Sequence, residues 1–326
     1  MPQITFLTGN GLDIALGLET EYVDFYNYIV AHKWHENNRI YQAIKSDPKT
    51  WANFEYQLGS YTRYIDELEQ NDMVAESKSF HNDLEEVTLD LIKYLKIKEN
   101  KLDIEKIRHG ITRTSFFEGL SEGQREPFNR LTAPDQGLSF NFINLNYTST
   151  LEKILPRLQR LQVPNNIVFN QILHLHGSLD EDVTIGVNDE SQMSSHMTGT
   201  ERDDLIKSRL IQSMKDGRIA RMNTILGNTS VLVLFGTSIG DTDTYIWEMV
   251  LKWLSDNTNR YVIIHKYNKK YTTETKAISR RKKIFQSEVE DSLLSKGVLD
   301  PQVQESLRER IFVIHNTEKI FIKDKA

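Results

Sequence analysis

The sequence has no cysteine among its 326 residues. This absence excludes disulfide bonds, thiolate-bound zinc and a cysteine nucleophile, and it suits a reducing compartment. The chain also lacks any run of about 18 apolar residues, and its amino terminus lacks the basic and apolar regions of a secretory signal. A net charge of −6 gives no general case for binding nucleic acid or a membrane. We therefore expect a globular cytoplasmic protein without zinc and without membrane contact.

Hydrophobic periodicity first indicates a helical region, between residue 20 and about residue 110. Two sets of apolar residues there follow alternating steps of four and three: Phe54, Leu58, Tyr61, Ile65 and Leu68, then Phe80, Leu84, Val87, Leu91 and Tyr94. This spacing predicts amphipathic helices with buried faces. Residues 110–138 hold glycine, proline and polar residues without a sustained period, which predicts a loop-rich connection.

Strand-like segments occur near the amino terminus and again after this region, at 138–146, 171–177, 183–187, 230–236, 260–265 and 310–316. Helical patterns separate most of them, including one from Leu151 to Leu161 that "VPNN" closes and one near 245–254. Strands that alternate with helices predict a parallel sheet covered on both faces. The predicted fold class is therefore α/β.

The first strand is expected to pair with the strands after residue 138. This pairing predicts a core formed by residues 1–19 and 136–326, with a polar and then helical cap at about 188–227. Residues 20–135 then form a mainly helical insertion.

The opening segment "ITFLTGNGLDIALGL" (4–18) has the outline of a strand, a tight turn and a helix start. Such a turn is where related folds hold phosphates. The dinucleotide fingerprint needs a third glycine or alanine, and Ile14 stands there instead. Gly9 and Gly11 therefore fit two interpretations: a phosphate loop, or a turn that needs glycine for backbone reasons.

Four polar stretches share one position, the carboxyl end of a predicted strand. They are Gly9-Asn10-Gly11-Leu12-Asp13, Asn144-Leu145-Asn146-Tyr147-Thr148, His174-Leu175-His176-Gly177-Ser178-Leu179, and Phe235-Gly236-Thr237-Ser238-Ile239-Gly240-Asp241. Ligands of open parallel sheets bind in the crevice outside those ends. Their convergence predicts a binding site.

These motifs resemble those of the sirtuin superfamily, and the whole chain resembles the bacterial abortive-infection AbiH family, which itself resembles sirtuin-like phage-defence NAD hydrolases. The sirtuin Gly-Ala-Gly-Ile-Ser loop, which holds the NAD pyrophosphate, corresponds to residues 9–13. The catalytic Asn of sirtuins corresponds to Asn146, and their catalytic His before Gly-Ser corresponds to His176. Their ribose-contacting Gly-Thr-Ser corresponds to Gly236, Thr237 and Ser238. The segment "WANFEYQL" (51–58) resembles an AbiH hallmark.

The departures from the sirtuin pattern limit what the resemblance implies. Sirtuin deacylases hold a structural zinc with four cysteines, and this chain has none. Leu145 stands where sirtuins have Gln, and Thr148 stands where they have Asp. The resemblance therefore implies a sirtuin-like Rossmann core that binds NAD, with cleavage of NAD by water and not protein deacylation.

The chemistry of the residue types agrees with that implication, although simpler interpretations stay open. Cleavage of the nicotinamide–ribose bond develops oxocarbenium character. Asn146 is able to orient water or ribose there, or it only caps the next helix. A His that titrates near neutrality is a suitable base, which favours His176. His174 and His176 also invite a metal interpretation, but with no third ligand we favour two histidines held in a network.

Two acidic positions have alternatives of the same kind. Asp13 is expected either to bond ribose or to favour the helix dipole. Asp241 and Asp243 either bind a cation or belong to a turn that leads into a helix.

One basic segment stands out between His265 and Lys283. Its cations are Lys266, Lys269, Lys270, Lys276, Arg280, Arg281, Lys282 and Lys283, against the single acid Glu274. Such a run is able to meet nucleic acid. We favour a solvated helix face, balanced by the nearby Glu288, Glu290 and Asp291.

The leading hypothesis is a phage-defence protein that hydrolyses NAD. The alternatives are a non-catalytic module that senses NAD or an ADP-ribose derivative, and a metal-dependent nucleic-acid hydrolase that uses Asp13, Asp241 and the histidines. The phage trigger is not encoded in any recognisable motif, and self-association of the chain stays open.

Overall fold

A computed structural model describes residues 1–32, 35–46, 54–107, 111–160, 166–197, 199–272 and 278–317. In these ranges six parallel strands form one sheet in the order β3-β2-β1-β4-β5-β6. The strands are β1 (Gln3–Thr8), β2 (Leu138–Asn144), β3 (Ile167–His174), β4 (Val231–Phe235), β5 (Tyr261–Lys266) and β6 (Ile311–His315). This is the strand order of doubly wound dinucleotide-binding sheets. The predicted parallel sheet is confirmed, and β1 pairs with β2 and β4 as expected.

Helices cover both faces of the sheet, so β4 is apolar on both sides, whereas β1 and β2 bury Thr5, Ser139 and Asn141 on one side. On one face Ile4 and Phe6 pack with α6 (Glu122–Leu131) and α7 (Thr150–Arg160). On the other face Leu7 packs in a cluster with four helices: α10 (Arg218–Asn228), α11 (Thr244–Ser255), α12 (Ser279–Leu294) and α13 (Pro301–Arg308). The carboxyl ends of the strands remain open between these layers.

The region after β1 forms helices, as the periodicity predicts. They are α1 (Gly11–Ala15), α2 (Tyr22–His32), α3 (Arg39–Ser46), α4 (Phe54–Tyr61) and α5 (Gln70–Glu99). Phe54, Leu58, Ile65 and the whole predicted face of α5 are buried in a core of their own. After α4 the chain tightens into a 3-10 helix, Thr62–Glu67. No helix in the described ranges combines the length and the apolar composition needed to cross a membrane.

The predicted cap divides between two cores. Met193 and Met197 pack with the helices that follow β1, as do Leu205 and Ile206 around the junction of α8 (Gly199–Leu205) and α9 (Lys207–Ser213). In contrast, α10 packs on the sheet. This packing brings the cap and α4 together above the strand ends.

Two sequence-based expectations are wrong. The predicted loop at 110–138 contains α6, which a capping box of Ser121 and Gln124 begins. Phe128 of α6 is buried against the sheet together with Phe116 and Phe117, so the burial of aromatic residues outweighs the unfavourable Pro127 inside the helix. This packing favours an end of the helical insertion near α5, and its predicted limits, 20–135, stay a prediction.

The second correction concerns 183–187, which is not a strand of the sheet. A single bridge joins Val187 to Ile206. The segment has a strand-like spacing of apolar residues because Ile185 and Val187 both bury their side chains against the helical core. The predicted carboxyl end of the helix from Leu151, residues 161–165, lies outside the described residues, as do residues 51–53 of "WANFEYQL".

Candidate functional site

The turn after β1 and the turn after β4 are in direct backbone contact. The N–H of Gly11 donates to the carbonyl of Gly236 over 2.8 Å, and the N–H of Gly9 donates to that of Phe235 over 3.1 Å. A Cβ on Gly11 would lie 2.5 Å from Cα of Gly236, and Gly236 itself has a φ of +68°. Glycine is therefore required because the two turns touch each other. This contact supports the backbone interpretation of the glycines, and their approach to a pyrophosphate stays a prediction, since all three line the cleft described next.

A cleft of about 390 Å³ opens beside these two turns, at the carboxyl ends of the strands. The predicted residues that line it are Gly9, Asn10, Gly11, Asp13, Asn146, His176, Gly236, Thr237 and Ser238. Asp241 is not among the lining residues. Its largely exposed carboxylate pairs with Lys296, in a 3-10 turn, Asp241–Asp243, that leads into α11. The turn interpretation of Asp241 agrees with this geometry, and Asp243 lines the cleft instead.

Asn10 ties the first turn to the chain that follows α1. Its Nδ2 donates to the carbonyl of Thr20 over 2.8 Å, and its Oδ1 accepts from the hydroxyl of Thr20 over 2.6 Å. Both ends of the amide are thus used within the protein. Asn10 shapes the wall of the cleft.

Asn146 does not cap the following helix, because α7 begins at Thr150 and no cap bond from Asn146 is formed within the described residues. The backbone N–H of Asn146 donates to Oδ1 of Asn144 over 3.1 Å, which fixes the turn after β2. Its own Nδ2 is buried and has no hydrogen-bond partner among the described residues. The structure therefore leaves an unused amide donor at the cleft.

Asp13 is a second buried group with an unused atom. Its Oδ2 accepts from the hydroxyl of Thr148 over 2.7 Å, whereas Oδ1 has no partner in the described parts of the chain. Burial raises the pKa of Asp13 to about 6, against the opposing hydrogen bonds of Thr148 and Thr150. The charge of Glu99 also raises this pKa, and a polar interaction with the side-chain amide of Asn146 lowers it. Asp13 therefore changes its charge near neutral pH.

His176 does not titrate near neutrality, which corrects the sequence-based expectation. Burial lowers its pKa to about 4, although the charge of Asp243 opposes that shift. Nε2 of His176 lies 3.0 Å from the hydroxyl of Tyr245 and 3.4 Å from Oδ1 of Asp243. The imidazole is neutral at pH 7 and is already engaged.

His174 belongs to a different network. Its Nε2 lies 2.5 Å from Oε1 of Glu152, and its Nδ1 lies 3.2 Å from the carbonyl oxygen of Asn146. Burial would lower the pKa of His174, but the bond and charge of Glu152 outweigh burial and raise it. The two histidines thus have separate carboxylate partners. The described residues contain no group of three His, Cys, Asp or Glu that could hold a metal ion.

A buried ion cluster, which we define as Glu55, Lys207 and Asp243, lines a second wall of the cleft. Nζ of Lys207 lies 2.5 Å from Oε2 of Glu55 and 2.9 Å from Oδ1 of Asp243. The Lys207 side chain is fully buried. Burial alone would raise the pKa of Asp243, but Lys207 outweighs it and lowers that pKa. Two carboxylates against one ammonium leave one negative charge, since His176 is neutral.

Hydroxyl groups complete the bonding of Glu55. Tyr22 and Tyr147 donate to its Oε1 over 3.2 and 3.3 Å, and Thr242 donates to its Oε2 over 3.3 Å. Sequence reasoning missed this cluster. The only signal was Glu55 inside "WANFEYQL", while Lys207 stands in a polar stretch without any distinguishing pattern.

The end of β5 closes the cleft with His265, Lys266 and Tyr267. Nε2 of His265 lies 2.9 Å from the carbonyl of Phe116, and burial lowers the pKa of His265 to about 4. Lys266 is partly exposed, and no ion pair of its ammonium is formed with the described residues. Lys266 is therefore a cation at the rim that is available to a ligand.

The other described residues of the basic segment lie on the surface. Arg280, Arg281, Lys282 and Lys283 are exposed in the first turns of α12, as expected for a solvated face. Two of the three acids that were expected to balance this segment have a partner outside it. Glu290 and Asp291 pair with Arg308 of α13. Glu274 and Lys276 lie outside the described residues.

Comparison with known proteins gives one family. The model of the family described as "Bacteriophage abortive infection AbiH" matches residues 5–265. The match runs from within β1 to within β5 and includes every residue that lines the cleft except Lys266 and Tyr267. No curated protein matches significantly.

Proposed function

This chain belongs to the AbiH family of bacteriophage abortive-infection proteins, and we propose that it acts in phage defence by hydrolysing NAD⁺ at the bond between nicotinamide and ribose. One observation carries the proposal. The turns after β1, β2 and β4 converge on a single cleft, and they bring Asp13, Asn146 and Thr237 to its surface. The cleft lies beside β1 and β4, where the strand order reverses, which is where doubly wound sheets bind dinucleotides.

The size of the cleft supports a small-molecule ligand. Its volume of about 390 Å³ falls within the range of roughly 300–1,000 Å³ that ligand pockets span. A nucleotide needs both apolar surface and convergent polar groups. Leu91 and Leu95 of α5 supply apolar surface, and the strand ends supply the polar groups.

The charges of the cleft support NAD⁺ in particular. Lys266, whose ammonium forms no ion pair with the described residues, is a suitable cation for the pyrophosphate, and the hydroxyl groups of Thr237 and Ser238 are suited to a ribose. At the second wall, the ion cluster carries one surplus negative charge. A negative wall stabilises the positive charge of the oxidised nicotinamide ring and of an oxocarbenium-like transition state.

A sensing module is the second candidate, and the state of His176 favours it. A general base works best when its pKa lies near the working pH. The pKa of His176 is lowered to about 4, and its Nε2 is already bonded to Tyr245. If His176 were the only available base, the cleft would bind NAD⁺ without cleaving it.

The test measures nicotinamide, ADP-ribose and NAD⁺ by mass spectrometry, with purified protein and in phage-infected cells. Hydrolysis predicts that nicotinamide and ADP-ribose appear together as NAD⁺ falls. Asn146→Ala should reduce turnover by roughly 10²-fold, the scale of a lost orienting or acid–base group. Asn228→Ala, on the exposed end of α10, is the matched control and should behave as the parent.

Calorimetry with ADP-ribose separates the two candidates. Binding without product under any condition supports the sensing module. If NAD⁺ stays level in infected cells that the parent protects, the hydrolase proposal is wrong.

A further inference from the structure

Two buried polar atoms at the cleft have no protein partner in the described ranges. They are Oδ1 of Asp13, an acceptor, and Nδ2 of Asn146, a donor. Asp13 is 1% exposed and Asn146 8% exposed, and both residues line the cleft. Buried polar atoms are almost always paired in native proteins, so an unpaired donor beside an unpaired acceptor indicates a bound molecule.

The surroundings hold the Asp13 carboxylate in one orientation. The hydroxyl of Thr148 bonds Oδ2 over 2.7 Å, and the hydroxyl of Thr150 lies 3.3 Å from that of Thr148. Nδ2 of Asn144 donates to the carbonyl of Thr148 over 3.3 Å and so fixes the turn. One carboxylate oxygen is thus occupied, and the other is left for a ligand.

We propose that Asp13 is the general base of this site and that it takes a proton from a water molecule which the amide of Asn146 orients. The inference rests on the proposed hydrolysis of NAD⁺. The water oxygen forms a bond to the anomeric carbon of the ribose, and the carbon–nitrogen bond breaks. Its electron pair goes to nicotinamide, which leaves as a neutral molecule. Oδ1 of Asp13 accepts the proton of the water and later releases it to solvent.

Water suits this place because a buried water needs at least two polar partners. The Asn146 amide donates one hydrogen bond, and the Asp13 carboxylate accepts another. His176, the base suggested by the motif, has its Nε2 engaged by Tyr245. Asp13 is therefore an acid–base group at the cleft with a buried carboxylate oxygen that has no hydrogen-bond partner among the described residues.

The titration of Asp13 agrees with this role. Burial raises its pKa to about 6, which brings it into the range where a base works near neutral pH. Glu99 faces it from α5 and raises this pKa further, and Nζ of Lys153 lies 3.3 Å from Glu99. Of the other titratable groups of the cleft, His176 and His265 are neutral at pH 7 because burial lowers the pKa of each to about 4.

Two lysine cations also line the cleft. Lys207 is compensated within the ion cluster, and Lys266 lies at the rim.

The first experiment compares kcat, KM and the pH profile of the parent and of Asp13→Asn. The amide keeps an acceptor for Thr148 but is no base. We expect kcat to fall at least 100-fold, while KM and the calorimetric affinity for ADP-ribose stay within threefold. The parent kcat should rise with pH through a midpoint near 6, because burial raises the pKa of Asp13 to about 6. Asp13→Asn should lose this dependence of kcat on pH.

Glu99→Gln is the matched control. It removes a charge that raises the pKa of Asp13 and retains an oxygen for the N–H of Ser149. Its midpoint should move to lower pH, with the plateau of kcat unchanged. A purely structural role of Asp13 would not produce this shift.

Chemical rescue is the second measurement. Formate should restore part of the activity of Asp13→Ala, because a small carboxylate replaces the lost base, and it should not restore Asn146→Ala. Full activity of Asp13→Asn with an unchanged pH profile would overturn the inference. So would a 100-fold loss of ADP-ribose affinity at unchanged kcat, which would make Asp13 a ribose ligand. A parent that releases no nicotinamide even in protected, infected cells would instead refute the proposed hydrolysis.

Discussion

The two walls of the cleft use polar groups in opposite ways. At the strand ends, Asp13 and Asn146 each leave an atom without a partner among the described residues. At the second wall, Lys207 is bonded to both Glu55 and Asp243. A buried network that satisfies itself gives rigidity, whereas unsatisfied buried atoms raise the free energy of the empty site. We call the wall that the ion cluster lines the scaffold wall, and the wall that holds Asp13 and Asn146 the working wall.

Removing the cation of the scaffold wall should have the largest effect. Lys207→Met leaves two carboxylates buried near each other, and breaking such a buried pair costs ~3–5 kcal/mol of unfolding free energy. Urea denaturation measures it. Lys296→Met is the control, because its partner Asp241 is largely exposed; that pair should contribute less than about 1 kcal/mol. Equal effects of the two variants would contradict the contrast between the walls.

The working wall should show the reverse behaviour, because removing the charge of Asp13 should stabilise the protein. The pKa of Asp13 rises from 3.8 to about 6 on folding. Between these values the folded protein keeps a proton that the unfolded chain has released, so stability falls as pH rises through this window. At ~1.4 kcal/mol per pKa unit, Asp13→Asn should stabilise the protein by up to about 3 kcal/mol at pH 7.

That gain should shrink below pH 4, which denaturation across a pH series will test. A variant that is destabilised at pH 7 would show that the charged carboxylate supports the fold.

Disturbing the contact between the two glycine turns should change the stability of the protein by a smaller amount. Gly236→Ala adds a Cβ 2.5 Å from the N–H nitrogen of Leu12 at a φ of +68°. Gly17→Ala is the control, since Gly17 has a φ of +83° and an added Cβ would have no neighbour within 4 Å. The control measures backbone strain alone, about 1 kcal/mol. Gly236→Ala should cost about 2 kcal/mol more, the scale of overpacking. Thermal unfolding distinguishes these values.

The smallest expected effect concerns His174 and His176. Their pKa values shift in opposite directions although the two residues are only two positions apart. His174 has a raised pKa because of Glu152, and its contribution to stability is present at low pH and is lost as pH rises through the folded pKa. Glu152→Gln should therefore destabilise more at pH 5 than at pH 8, by less than about 1 kcal/mol because Glu152 is partly exposed.

NMR titration provides the direct readout of this pair. The His174 signal should move to lower pKa in Glu152→Gln, while the His176 signal should show no titration above pH 5 in either protein.

Local sequence patterns were sufficient to predict the sheet and most of its helices. Strands such as β4 are continuous apolar runs, and polar residues follow them directly, so the position of the cleft was predictable. The ion cluster was not predictable, because 152 residues separate Lys207 from Glu55. Such a bond depends on how the cap and α4 pack above the sheet, and no local period encodes it. The pKa values of Asp13 and His176 depend on burial in the same way.

The sheet topology also bears on when the protein becomes able to act during its synthesis. Ile4 of β1 pairs with Val231 of β4, so the first glycine turn waits for a partner that is made 227 residues later. At roughly 5–20 residues per second, the ribosome needs about 10–45 s to span that interval. Non-local parallel pairing also adds folding time. A nascent chain therefore carries an unfinished cleft, and a cell that makes this protein is exposed to any activity of the cleft only after β4 has emerged.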